Sequence, residues 1–131
     1  MTTSRMRSPL GRAIGLGPAR AGVDHWYAQR ITAIALIPLC FWFVVAVIGL
    51  LGADLETVQN WVSLPLPAIL FVLLLIAIFY HVSLGLQVVI EDYIHAELAK
   101  VGLIVVVRLL CFGFAVAGVF AVVSIALGAT S

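Results

Sequence analysis

The chain has 131 residues, 64% hydrophobic and 10% charged, with a net charge of +1 and a mean hydropathy of +1.24. An ordinary soluble domain is roughly 45–50% apolar and about 25% charged, and a soluble body of this size has too little interior to hide the excess. The composition excludes a soluble enzyme and a disordered linker, and the near-zero charge leaves no footprint for a nucleic acid.

Residues 1–22 are rich in Gly, Ser, Arg and Pro and read as a cytoplasmic N-terminal arm. Residues 23–131 read as one all-α membrane domain of three transmembrane helices. A bilayer core needs about 20 consecutive apolar residues as helix, and three segments reach that length. The first runs over about 31–51, with no charge between Arg30 and Asp54. It starts too late and is too long for a cleavable signal peptide. Pro38 inside it should kink the helix or free a carbonyl. After it come Asp54 and Glu56, then Trp61 as an interfacial aromatic. Ser63 is the candidate N-cap of the second span, about 64–90, with Pro65 and Pro67 in its first turn. The third span, about 101–127, carries one charge, Arg108, and has Gly113, Ala117 and Gly118 for close helix packing. Cys40 and Cys111 each lie in an apolar run and read as buried, inert thiols.

Loop charge sets the expected orientation. Arg5, Arg7, Arg12, Arg20 and Arg30 precede the first span, against one acid, Asp24. The next loop has no base. The excess of bases places the N-terminus in the cytoplasm and the C-terminus outside. Residues 91–100 then return to the cytoplasmic side.

In so apolar a chain the polar residues inside the spans carry the message. His81 lies ten residues before Glu91, about 15 Å along the helix and so near mid-membrane. It reads either as a neutral histidine bonded to a neighbouring helix or as an axial ligand of a haem. His81, Gly85, Val88 and Asp92 share one helix face. Gly85 removes a side chain one turn from His81, where a flat macrocycle would approach. It reads equally as a helix-packing glycine. A haem held by two histidines would need its second ligand from another chain, because neither His25 nor His95 easily reaches iron at His81. Glu91-Asp92-Tyr93-Ile94-His95 reads as a solvated helix end or as a quinone pocket, with Tyr93 as donor and Asp92 and His95 as proton relay. Before the first span, Trp26 and Tyr27 fit the interfacial belt. Arg30 either snorkels to lipid headgroups or pairs with haem propionates. Arg108 reads as a snorkelling or inter-helix group, and Gln87 and Ser83 as inter-helix hydrogen-bonding positions.

These motifs carry a resemblance. His25-Trp26-x-x-Gln29-Arg30-x-Thr32-Ala33, then His81-x-x-x-Gly85, then Glu91-Asp92-Tyr93-x-His95 resemble the small hydrophobic membrane anchor of succinate dehydrogenase. The likeness covers roughly residues 22–108 and is most specific from His81 to Tyr93. It implies a membrane anchor that packs with a second membrane anchor protein, and with an iron–sulfur protein and a flavoprotein that hold the clusters and FAD. It implies His81 as one axial ligand of a haem b shared with the second anchor, and Arg30 near the propionates. It implies Tyr93 and Asp92 at the ubiquinone site in a bacterial inner membrane. Some relatives carry His-Asp where this chain has Asp24-His25, so His25 is left as a proton-relay candidate beside His95. The isolated chain is expected to oxidise no succinate. The other readings are the anchor of a fumarate reductase, a haem-free structural or assembly protein, and a proton-relay membrane protein.

Overall fold

A computed structural model describes residues 18–128. Four helices follow one another: α1 (Pro18–Gly49), α2 (Leu55–Val62), α3 (Pro65–Tyr93) and α4 (Glu97–Ala126). No strand occurs among the described residues. Three helices are long and apolar enough to cross a membrane: Gly22–Gly49 within α1, then α3 and α4. Their most apolar 18-residue stretches have mean hydropathies of 2.7, 2.6 and 2.6. The expected all-α, three-span fold is therefore present. Most of the N-terminal arm lies outside the described residues.

The helices outrun the apolar segments that predict them. α1 begins thirteen positions before Ile31, because the polar stretch from Asp24 to Arg30 continues the same helix. Hydropathy marks where lipid begins, whereas helix continues wherever backbone bonding is satisfied. Pro38 sits inside α1, and the helix runs on to Gly49.

The connection between α1 and α3 is more ordered than the sequence suggests. Gly52 turns the chain at φ 81°, in the left-handed region that favours glycine. Asp54 then caps α2: its Oδ1 accepts from the Thr57 backbone N–H at 3.0 Å. Hydrogen bonds from Thr57, side chain first and backbone second, hold the Asp54 carboxyl below its ordinary pKa. Ser63, expected to cap the second span, instead ends α2 and donates to the Asn60 carbonyl at 2.7 Å. Leu64 occupies the N-cap of α3 without a side-chain bond. Proline at the start of α3 tolerates this, since it has no N–H to satisfy. Trp61 stacks on Trp42 of α1 at 6.1 Å, and Phe71 of α3 meets both tryptophans edge-on. This aromatic cluster fastens α2 over the α1–α3 seam.

α3 is the middle helix. It packs on α4 along most of its length and on α1 over a shorter stretch, while α1 and α4 make no direct packing contact among the described residues. A Cβ at Gly118 would stand 3.1 Å from Leu75, so Gly118 lets α4 close on α3. Gly113, expected to do the same, faces open space. Among the described residues the buried apolar core is small: Val62, Pro67, Leu74, Leu84, Ile90 and Cys111. Large apolar side chains point outward instead, Phe41 at 74% and Phe120 at 72% exposure. Cys40, expected to be buried, is on this outward surface, while Cys111 is buried as expected. A chain that turns this much apolar surface outward needs lipid or neighbouring subunits around it.

Candidate functional site

The site is built where α1 crosses α3. On α1, His25, Gln29 and Thr32 follow i, i+4, i+7 and share one face. That face meets His81 and Gly85 of α3. Thr32 is the buried polar residue of the region, 9% exposed. Its Oγ1 lies 2.8 Å from the Ala28 carbonyl and 3.1 Å from the Gln29 carbonyl, and 2.9 Å from Nδ1 of His81.

A hydroxyl carries one proton. Two carbonyls of its own helix stand ready to accept it, the usual arrangement for a threonine inside a helix. The hydroxyl oxygen then accepts from Nδ1–H of His81. That network assigns the Nδ1–H tautomer and leaves the Nε2 lone pair facing α1. The Gln29 side-chain nitrogen, 3.5 Å from His81 Nε2, is the neighbour of that lone pair.

Among the described residues, two buried polar atoms near this pair lack partners: Nε2 of His25 and Oε1 of Gln29. Buried polar groups are normally satisfied, so the seam is short of one polar partner or more. Gly85 lies one turn beyond His81. A Cβ there would stand 3.6 Å from the Gln29 side-chain nitrogen, an ordinary contact, so nothing in this chain alone requires glycine. No group of three His, Cys, Asp or Glu side chains gathers among the described residues. At this seam the chain offers the His81 imidazole on α3, with His25 two turns before Thr32 on the α1 face opposite.

The remaining candidates lie apart from this seam. The Arg30 guanidinium sits 5.3 Å over the Trp26 ring, a cation–π contact one turn apart. Asp92, Tyr93 and His95 are exposed at the α3–α4 corner, Tyr93 at 77%. None of the three has a side-chain partner among the described residues. His81 and the corner share α3 but do not touch. The expected inter-helix role of Gln87 is present: Arg108 Nη2 donates to its Oε1 at 2.6 Å, and its amide nitrogen donates to Glu91 at 2.7 Å. Sequence alone assigns no role to Gln29 or Thr32. The available signal is their spacing with His25, which puts three polar side chains on one face of an apolar helix.

Residues 4–126 match the family described as the succinate dehydrogenase/fumarate reductase transmembrane subunit. The chain belongs to this family. Among individual relatives, it is 34% identical over 107 residues to a succinate dehydrogenase hydrophobic membrane anchor subunit of Rickettsia bellii, covering 82% of this chain and 86% of that one. It is 32% identical over 127 residues to the protein of the same name from Paracoccus denitrificans, covering 95% and 96%. A third, from Rickettsia conorii, is 30% identical over 116 residues, covering 88% and 92%. The resemblance carried by the His25–Thr32 and His81–His95 motifs is thus borne out at the level of the family. As a member of the succinate dehydrogenase/fumarate reductase transmembrane subunits, the chain is a multi-pass membrane component of an oxidoreductase complex and works with partner subunits.

Proposed function

We propose that this chain is the hydrophobic membrane anchor of a succinate dehydrogenase, that it holds one side of a haem b through His81, and that Tyr93 and Asp92 line the ubiquinone-reduction site. The carrying observation is the Thr32–His81 bond at 2.9 Å. An imidazole whose Nδ1 is tied to a fixed acceptor presents Nε2 as a ligand in a set orientation. The partnerless Gln29 Oε1 and His25 Nε2 support a polar group entering the same seam. Gln29 would have to turn aside to admit it, and glycine at position 85 would leave that approach clear of a side chain. Arg30, which sits over Trp26 and apart from the seam, is the cation that the family resemblance assigns to the propionates. A haem held there would supply a one-electron store.

The rest of the mechanism belongs to this chain's own side chains. Tyr93 has a free phenolic O–H at the α3–α4 corner and donates it to a quinone carbonyl, holding the ring for reduction. Asp92, one residue earlier, passes protons from water to that carbonyl, with His95 as its relay and His25 as a second proton carrier on α1. The excess of arginines before the first apolar span supports this corner and the N-terminus lying on the cytoplasmic side, which this reading takes to be that of a bacterial inner membrane. A second membrane anchor protein would hold the other side of the haem. An iron–sulfur protein and a flavoprotein bring electrons from succinate.

The test is a reduced-minus-oxidised absorption spectrum of the complex purified through this chain. The reading expects a b-type signal that is lost in His81→Leu while the complex stays together. An unchanged signal in His81→Leu removes His81 as ligand. A complex without haem, with both histidine nitrogens held by Thr32 and Gln29, makes His81 a packing group of a structural anchor.

A further inference from the structure

Arg108 is a charge inside a membrane span, eleven residues after Glu97 at the start of α4. Such a charge requires a compensating partner. Its described partner is neutral, the Gln87 carbonyl oxygen, and the one ion pair among the described residues is Lys100–Glu97. Glu91 is reached only through the Gln87 amide.

Two cavities adjoin at this arginine. One is an apolar groove of about 670 Å³ between α3 and α4, running past Ile76, Phe79, Val116 and Phe120 to Val123. The other is a polar chamber of about 490 Å³ lined by Asp24, His25, Gln87 and Glu91. Arg108 and Tyr80 line both. From Arg108 to Val123 is fifteen residues of helix, about 22 Å, the reach of one lipid acyl chain. Polarity rises along the path toward the α3–α4 corner, from bare hydrocarbon to one cation and then to two carboxylates.

We propose that this composite cavity binds one aminophospholipid, its phosphate on Arg108, its ammonium between Asp24 and Glu91, and one acyl chain along the groove. The charges decide among occupants. A quinone or an apolar partner helix would leave the arginine and both carboxylates without counter-charges. An anionic lipid would satisfy Arg108 and meet repulsion from Asp24 and Glu91. A zwitterion with a primary ammonium meets all three, because that group offers three N–H donors and a quaternary amine offers none.

The experiment is native mass spectrometry of the assembled complex, stripped of lipid in detergent and titrated with phosphatidylethanolamine, phosphatidylcholine or phosphatidylglycerol. One phosphatidylethanolamine is expected to bind in preference to the other two. Arg108→Met should weaken it by about tenfold or more, the loss of a charge-assisted bond. Val116→Trp, which fills the groove without touching the charges, should also expel it. Glu91→Gln should erase the preference over phosphatidylcholine. Equal binding of all three lipids overturns the proposal, as does retention in both Arg108→Met and Val116→Trp. Loss of haem absorbance in Arg108→Met with lipid binding unchanged also overturns it and assigns the arginine to haem propionates.

Discussion

Thr32 and His81 stand 49 positions apart in the chain and are joined by a 2.9 Å hydrogen bond across the α1–α3 seam. The bond links an inert-looking threonine of the first span to the histidine inside the second. Thr32 is placed to set which nitrogen of His81 carries the proton, and through that the nitrogen that faces a ligand.

Thr32→Val should therefore act on the histidine and not only on packing. Removing the acceptor leaves Nδ1–H unpaired in an apolar seam, at a cost of about 1–3 kcal/mol. The expected outcome is a shifted haem reduction potential and an altered low-spin spectrum in the assembled complex, with Thr32→Ser restoring both. Nitrogen chemical shifts of labelled histidine should show Nδ1–H in the wild type and a mixture of tautomers in the valine variant. A change in yield alone, with potential and tautomer unmoved, would make Thr32 a packing residue.

Tyr93→Phe removes a phenolic donor from an exposed, partnerless position. Quinone reduction by the complex should fall on the order of tenfold, the loss of one hydrogen bond to a reacting oxygen. Succinate oxidation by an artificial dye should persist. Asp92→Asn should slow quinone reduction with a changed pH profile, because an amide cannot pass a proton. Equal loss of dye and quinone activity in either variant would point to assembly instead.

Gly118 carries the closest approach of α4 to α3, where a Cβ would meet Leu75 at 3.1 Å. Gly118→Leu should overpack that contact and cost about 1–3 kcal/mol. A lower thermal midpoint of the complex in detergent checks it. Gly113→Leu, facing open space within this chain, should spare the α3–α4 contact; loss of partner proteins in that variant would place a partner helix there.

Asp54 gives a pH prediction with a definite sign. Its carboxyl is held below its ordinary pKa by hydrogen bonds from Thr57, so its charged form is favoured by folding. The capping contribution is complete above the ordinary carboxylate pKa and is lost as pH falls through the lowered value. Hydrogen exchange in α2 should accelerate over that acid range in the wild type. In Asp54→Ala it should be fast at neutral pH and show no further acid step.

The corner and the seam were not equally legible. Asp92, Tyr93 and His95 could be read as a group because they are close in sequence and end a span. Arg108 could be seen as anomalous because it is charged, yet its bond to Gln87 depends on how α4 lies on α3. α2 announced itself weakly, through an acid three residues before Thr57, and was overshadowed by Ser63, whose hydroxyl looks like a cap and in fact closes the helix before it.

Sequence alone determined the solvent, the number of spans and the residues to watch. Twenty apolar residues in helix match the width of a bilayer whatever the neighbours do, and polar side chains within them cannot go unnoticed. Tertiary structure decided which faces meet. A helix that is apolar on every side carries no stripe to say where its neighbour lies, and lipid on one side is no less apolar than leucine on the other. Contact is then selected by close fit and by the few polar groups that can satisfy one another. That is how Thr32 came to face His81, Leu75 to fill the space at Gly118, and Arg108 to stand at the mouth of a groove.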